Sequence, residues 1–294
     1  MTNYKVGANK INIYYEMEGS GSNVVFLHGL GDASQMWWNQ TAAFGKDYRW
    51  WTIDLRGSGK TDRPKGDYTA DIMAADVFEW LKSAKIQLIQ DPEALGHAEI
   101  QQLSLPPVVV GLGMGGRIAL QYAVAHPVNC RALVLAGAGA GAFKPARRDE
   151  IAALLQKNDM KKAAEIMTEA AFSAGFKAKN GKAYDQYLKI KQNQKADSIL
   201  LQLTGIEKAP AADMSRLVCP VLIIAGQNDP AFTPDMAKQA QSAIPGSKLV
   251  VLPTGQASNI EAPDQFNAAI KEFMSTLKPD KGEPTADEIL HMKG

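Results

Sequence analysis

A chain of 294 residues, 46% of them hydrophobic, carries enough apolar material for one large core with an inserted subdomain. Its 32 Lys and Arg against 31 Asp and Glu leave a formal net charge of +1, and the basic residues are scattered, whereas nucleic acid demands a concentrated basic face. No apolar run reaches membrane-span length, and residues 1–20 lack both the apolar stretch and the small-residue cleavage site of an export signal, so no nucleic-acid or membrane partner is expected and the expected location is cytoplasmic.

In chain order, short β-branched apolar runs predict strands at about 11–16, 24–28, 49–54, 107–111, 132–136, 220–225 and 248–252. Helical periodicity predicts helices at about 35–45, 69–84, 114–126, 235–243 and 263–277. Such alternation is the signature of an α/β fold, a mostly parallel twisted sheet flanked by crossover helices. Between Gly137 and Met214 the strand rhythm stops, and Arg147–Phe172 and Ala183–Leu203 carry apolar residues at helical spacing. The expected organisation is a core of residues 1–137 and 215–277, a helical cap of residues 138–214 over the carboxyl ends of the strands, and a polar tail of residues 278–294. Ser83–Pro106, with its two Pro-containing turns, reads as a surface excursion, and no internal repeat is visible.

The chemistry-bearing stretches are ordered along this frame. Ile11–Glu16 with Gly19 and Gly21 suggests an opening hairpin. Val24-Val-Phe-Leu-His28-Gly29-Leu30-Gly31-Asp32 is a buried strand running into a His-Gly turn, and Thr52-Ile-Asp54-Leu-Arg56-Gly57-Ser-Gly59-Lys-Thr61 is a strand followed by a Gly-rich loop. Val-Val-Val-Gly111-Leu112-Gly113-Met114-Gly115-Gly116 is a buried strand entering a glycine turn and a helix. Val221-Leu-Ile-Ile-Ala-Gly226-Gln-Asn-Asp229-Pro230 and Pro253-Thr-Gly-Gln256-Ala-Ser-Asn complete the series. Taken in this order, the stretches resemble the α/β-hydrolase superfamily, in its compact bacterial esterase, lactonase and C–C hydrolase branch with a helical cap. The resemblance runs from about residue 4 to about residue 277.

That resemblance implies a nucleophile elbow, G-x-S-x-G, with Gly113 at the serine position, and a catalytic-histidine loop with Gln256 at the histidine position. Asp229 falls where the family's acid sits, and the amides of Leu30 and Met114 fall where the oxyanion donors sit. Glycine has no attacking atom and an amide has no proton affinity near neutrality, so ordinary serine hydrolysis is disabled in this sequence. His28, Gly29, Asp32, Trp37 and Phe143 are expected around the ligand; in the family the position of His28 usually serves structure, and Asp32 reads equally as a turn former. Trp37, Trp38, Trp50 and Trp51 read as core and pocket wall, and Asp54 and Arg56 as a pair tying down their loop. Phe172, Phe176, Met160, Met167 and Leu201 suggest a mainly apolar pocket for a small to medium carbonyl compound.

No cofactor or metal is expected. The glycine run has the spacing G-x-G-x-G-G, not that of a dinucleotide fingerprint, and lies far from the first strand. Cys130 and Cys219 read as free thiols, and His28, His97, His126 and His291 are scattered. Three functions stay open: a serine-hydrolase scaffold with an altered triad; a non-hydrolytic lyase, isomerase, decarboxylase or cyclase using the oxyanion hole; and a ligand-binding protein without a reaction. A monomer or homodimer is expected.

Overall fold

The computed structural model describes residues 2–89, 106–139, 144–208 and 211–277; Phe143, the tail from Lys278 and most of the 83–106 excursion lie outside them. Strand β1 (Thr2–Ala8) and strand β2 (Ile11–Glu18) form the first hairpin. It turns at Asn9 and Lys10, both at positive φ (48° and 65°), the backbone of a two-residue hairpin loop whose twist matches its strands. The opening hairpin therefore pairs Ile11–Glu16 with the preceding segment, and Gly19 and Gly21 belong to the link that follows.

Strands β3 (Asn23–Leu27), β4 (Arg49–Ile53), β5 (Val108–Leu112), β6 (Ala132–Ala136), β7 (Val221–Gly226) and β8 (Lys248–Leu252) complete one eight-stranded sheet in the order β1-β2-β4-β3-β5-β6-β7-β8. From β4 to β8 every neighbouring pair is parallel, and β2 runs against β1 and β4. Because side chains alternate across a strand, the central strands feed two cores. Val25, Leu27 and Val109 pack with helix α2 (Ala70–Ile89) and helix α3 (Met114–Ala125) on one face. Val24, Phe26, Val108 and Val110 pack with Trp37, Phe44 and Phe266 on the other. Helix α1 (Trp38–Phe44) follows a short 3-10 turn at Ser34–Trp37.

Between β6 and β7 the chain is helical, as α4 (Arg148–Gln156), α5 (Met160–Ala171), α6 (Phe176–Lys179), α7 (Gly181–Gln192) and α8 (Ala196–Lys208). The single helical stretch read over Arg147–Phe172 is broken at Asn158, which takes φ 57°. Asp159 then caps α5, its side chain accepting from the Lys162 amide at 3.1 Å. After β7 come α9 (Pro234–Ala243), α10 (Ser258–Glu261) and α11 (Pro263–Ser275). Among the described residues no helix is long and apolar enough to cross a membrane.

Asp54 and Arg56 do not pair with each other. Arg56 makes a two-pronged ion pair with Asp76 on α2, both contacts at 2.6 Å. Asp54 instead accepts from the amides of Ser34 and Lys60, each at 2.8 Å, and so ties two loops together. Cys130 and Cys219 are free thiols whose sulfurs lie 3.9 Å apart, ahead of β6 and β7.

Candidate functional site

Gly113 joins β5 to α3 with φ 54° and ψ −114°, a conformation that side-chain-bearing residues enter only with strain. The next residue, Met114, opens α3, so its amide belongs to the first turn, whose N–H groups have no acceptor within the helix. At Gly115 a Cβ would stand 2.2 Å from the Leu27 carbonyl and 2.5 Å from that of His28. Glycine there lets α3 press against the end of β3, which brings the Gly113 turn beside the loop of residues 28–32.

Gly29, Leu30, Asp32, Gly113 and Gln256 line one cavity of about 30 Å³, closed on the helical side by Met167, Tyr187 and Lys191. Residues from three separated stretches, read as site residues from their motifs, thus share one space. Asp229 and Gln256 both flank Gly137: a Cβ built there would lie 3.2 Å from Asp229 Oδ2 and 3.3 Å from Gln256 Cγ. Oδ1 of Asp229 accepts from the amides of Ala231 (2.8 Å) and Phe232 (3.1 Å). Oδ2 is buried and has no hydrogen-bond partner among the described residues, and Gln256 Nε2 is in the same condition. Burial raises the Asp229 carboxyl to about 6, against the pull of the two amides.

The loop presenting Gln256 is anchored by Glu261 of α10, which accepts from the Gly255 amide at 2.8 Å and the Ser173 amide at 3.1 Å and also contacts the Ser173 hydroxyl. The Ala257 amide donates to the Ala171 carbonyl at 2.8 Å. The position of Gln256 is therefore set jointly by the sheet and by α5.

Lys191 was not singled out by its sequence context. It sits in a helix rich in Lys and Gln, where a lysine reads as part of the solvated face. Four residues after Tyr187, however, it shares that residue's inward side. Its Nζ lies 2.6 Å from Asp32 Oδ1 and donates to the Leu30 carbonyl at 2.8 Å; the Lys191 and Asp32 side chains are 4% and 1% exposed. Tyr187 donates to Asp32 Oδ2 at 3.1 Å, and burial, reinforced by that carboxylate, pushes its hydroxyl well above the usual tyrosine range. Asp32 also closes the turn, its amide donating to the Gly29 carbonyl at 3.2 Å, so it is both turn former and cavity group.

His28 and Trp37 do not reach the cavity. His28 is fully buried, and both ring nitrogens face backbone: Nδ1 to the Gly29 carbonyl (2.9 Å) and Nε2 to the Leu55 amide (3.0 Å). The Leu55 N–H can only donate, which assigns the proton to Nδ1. Burial lowers the imidazole below its ordinary value and keeps it neutral. Trp37 lies in the core against Phe26 and Phe266, with ring centroids at 5.1 and 6.3 Å. Met114 is buried with its side chain in the core beside Leu30, and Phe143 lies outside the described residues. Phe172 and Phe176 stack on each other at 4.2 Å within the helical region. Among the described residues, no group of three or more His, Cys, Asp or Glu is placed to hold a metal ion.

The family model described as the alpha/beta hydrolase fold matches residues 23–263. The chain belongs to the α/β-hydrolase family. RutD of Klebsiella pneumoniae, a carbamate hydrolase by name, is 26% identical over 263 residues, covering 87% of this chain and 92% of RutD. The 3-oxoadipate enol-lactonase 2 of Acinetobacter baylyi is 25% identical over 252 residues, covering 85% of this chain and 88% of its own length. Among solved structures, the enol-lactonase of Burkholderia xenovorans LB400 superposes with a TM-score of 0.82 at 23% identity, over 92% of this chain and all of that one. At that identity the likeness concerns the fold. This α/β-hydrolase is thus similar over most of its length to proteins named as a carbamate hydrolase and an enol-lactonase.

Proposed function

We propose that this α/β-hydrolase chain binds a small to medium carbonyl compound on a scaffold suited to ester, lactone or C–C bond hydrolysis, with Gly113 at the serine position and Gln256 at the histidine position of the triad. The observation carrying this reading is the Gly113 turn. Its φ of 54° and ψ of −114° are the strained strand-to-helix geometry that lifts a nucleophile over the sheet, kept here in a residue with no side chain to present. Leu30, Gly113 and Gln256 lining one cavity, with Asp229 and Gln256 both beside Gly137, support the assignment. In this reading the amides of Leu30 and Met114 polarise the ligand's carbonyl oxygen, and as backbone groups they do not depend on the changed side chains. The helices of residues 148–208 act as a cap. A space of about 30 Å³ takes one or two waters, so a ligand of several heavy atoms enters with the cap displaced.

A covalent acyl-enzyme has no oxygen to form on. The protein is expected to remain unlabelled by a fluorophosphonate probe and by 4-nitrophenyl acetate, read by intact-mass spectrometry. Stoichiometric labelling of any residue lining the cavity would overturn the assignment. The buried Lys191–Asp32 pair favours one further reading, in which the cavity steadies an enolate for a non-hydrolytic step, since an ammonium beside a polarised carbonyl stabilises the same charge.

A further inference from the structure

Two unpaired polar atoms next to the cavity define what can sit between them. Asp229 is 2% exposed, and its Oδ2 is a buried acceptor without a hydrogen-bond partner among the described residues; Gln256 Nε2 is a buried donor in the same position. Both side chains converge on Gly137, the carboxylate oxygen at 3.2 Å and Gln256 Cγ at 3.3 Å from a Cβ built there, yet they are not bonded to each other. Each such orphan is destabilising while unpaired. One hydroxyl-type oxygen answers both, because an O–H donates to the carboxylate while its lone pair accepts from the amide. Gln256 lines the cavity, and the cavity's volume of about 30 Å³ is enough for a water.

We propose that Asp229 and Gln256 hold a water that acts as the nucleophile of a serine-free hydrolysis. This rests on the reading of the cavity as a carbonyl site. The Gln256 amide orients the water, whose oxygen forms a bond to the carbonyl carbon as one of its O–H bonds breaks; the proton passes to Asp229 Oδ2. The π electrons move to the carbonyl oxygen, held by the amides of Leu30 and Met114. On collapse, the bond to the leaving alkoxide breaks, its electron pair departs with it, and that oxygen takes the proton from Asp229. Carboxylic acid and alcohol are released without a covalent intermediate. The substrate class is an ester or lactone with a good leaving group, since no imidazole assists its departure. A carboxyl raised to about 6 by burial accepts a proton more readily than an ordinary aspartate and is ionised above that pH.

The test measures steady-state hydrolysis of 4-nitrophenyl acetate together with binding of cyclohexanone, a ketone that cannot be hydrolysed, by calorimetry. Saturable turnover without a burst is expected, rising with pH to a plateau above about 6 as Asp229 loses its proton. Asp229→Asn, which keeps the shape, should lower kcat about 100-fold or more while cyclohexanone still binds. Gln256→Leu should lower kcat by a smaller factor and leave the pH midpoint in place. Cyclohexanone binding with turnover that Asp229→Asn leaves intact, or with no turnover above the buffer rate, overturns the water mechanism but not the carbonyl site. Absence of both binding and turnover overturns the two together.

Discussion

Changing Gly113→Ser and Gln256→His together is expected to convert the protein into an efficient esterase that releases a burst of about one nitrophenolate per chain from 4-nitrophenyl acetate. The serine would stand at a turn already bent to φ 54° and ψ −114°. The histidine would stand, like Asp229, beside Gly137, and the Asp229 Oδ2, which has no partner among the described residues, is free to accept from the imidazole. Subtilisin loses about two million-fold in kcat when its triad is removed, and losing the serine or the histidine alone costs about as much as losing all three. The gain here should therefore appear only in the double variant, at about a thousand-fold or more, because a serine without its base and a base without its nucleophile are each incomplete. Placing a Cβ at positive φ costs about 1–3 kcal/mol, so the measurement includes circular dichroism to establish that the double variant is folded. A folded double variant inert toward esters, lactones, amides and β-diketones would contradict the hydrolase assignment and favour a ligand-binding role.

Lys191→Met is expected to produce the largest loss of stability, about 3–5 kcal/mol, because it leaves the Asp32 carboxylate buried without its counter-charge. For a chain of this size that corresponds to a fall in melting temperature of roughly 5–10 °C. The Leu30 carbonyl loses its 2.8 Å donor in the same variant, loosening the loop that carries Gly29 and Leu30. Adding Asp32→Asn removes the orphaned charge, so the double variant should recover at least half of the loss, a coupling that a thermal-denaturation mutant cycle reads directly. A Lys191→Met protein within about 0.5 kcal/mol of the parent would mean that the pair is solvated in solution and that the cavity is open.

The central sheet was legible because β5, β6 and β7 are continuous apolar runs, buried on both faces, between glycine and proline signals. The edges were not. Strand β1 has a mixed sequence, and its hairpin closes on Asn9-Lys10 without the Asn-Gly signal that marks such turns. The motifs brought Leu30, Gly113 and Gln256 to one cavity, since each is fixed by local backbone: a turn after β3, a turn after β5, and a loop anchored by Glu261. Lys191 escaped notice because what distinguishes it is a contact 161 residues away, which helical periodicity cannot register. The pairing of Arg56 with Asp76 instead of Asp54 has the same origin: its partner lies on α2, outside the motif. Trp37, read with its neighbours as core and pocket wall, takes the core part of that reading, its ring packed on Phe26.

The claim that Leu30 and Met114 form a working carbonyl site is tested most directly by carbon-13 NMR of γ-butyrolactone labelled at its carbonyl, titrated with the unaltered protein. Hydrogen bonds to the carbonyl oxygen draw electron density from its carbon, so the bound resonance should move downfield of the free lactone and return when unlabelled lactone is added in excess. A lactone that binds with an unshifted carbonyl resonance, or one that does not bind at all, would contradict the account.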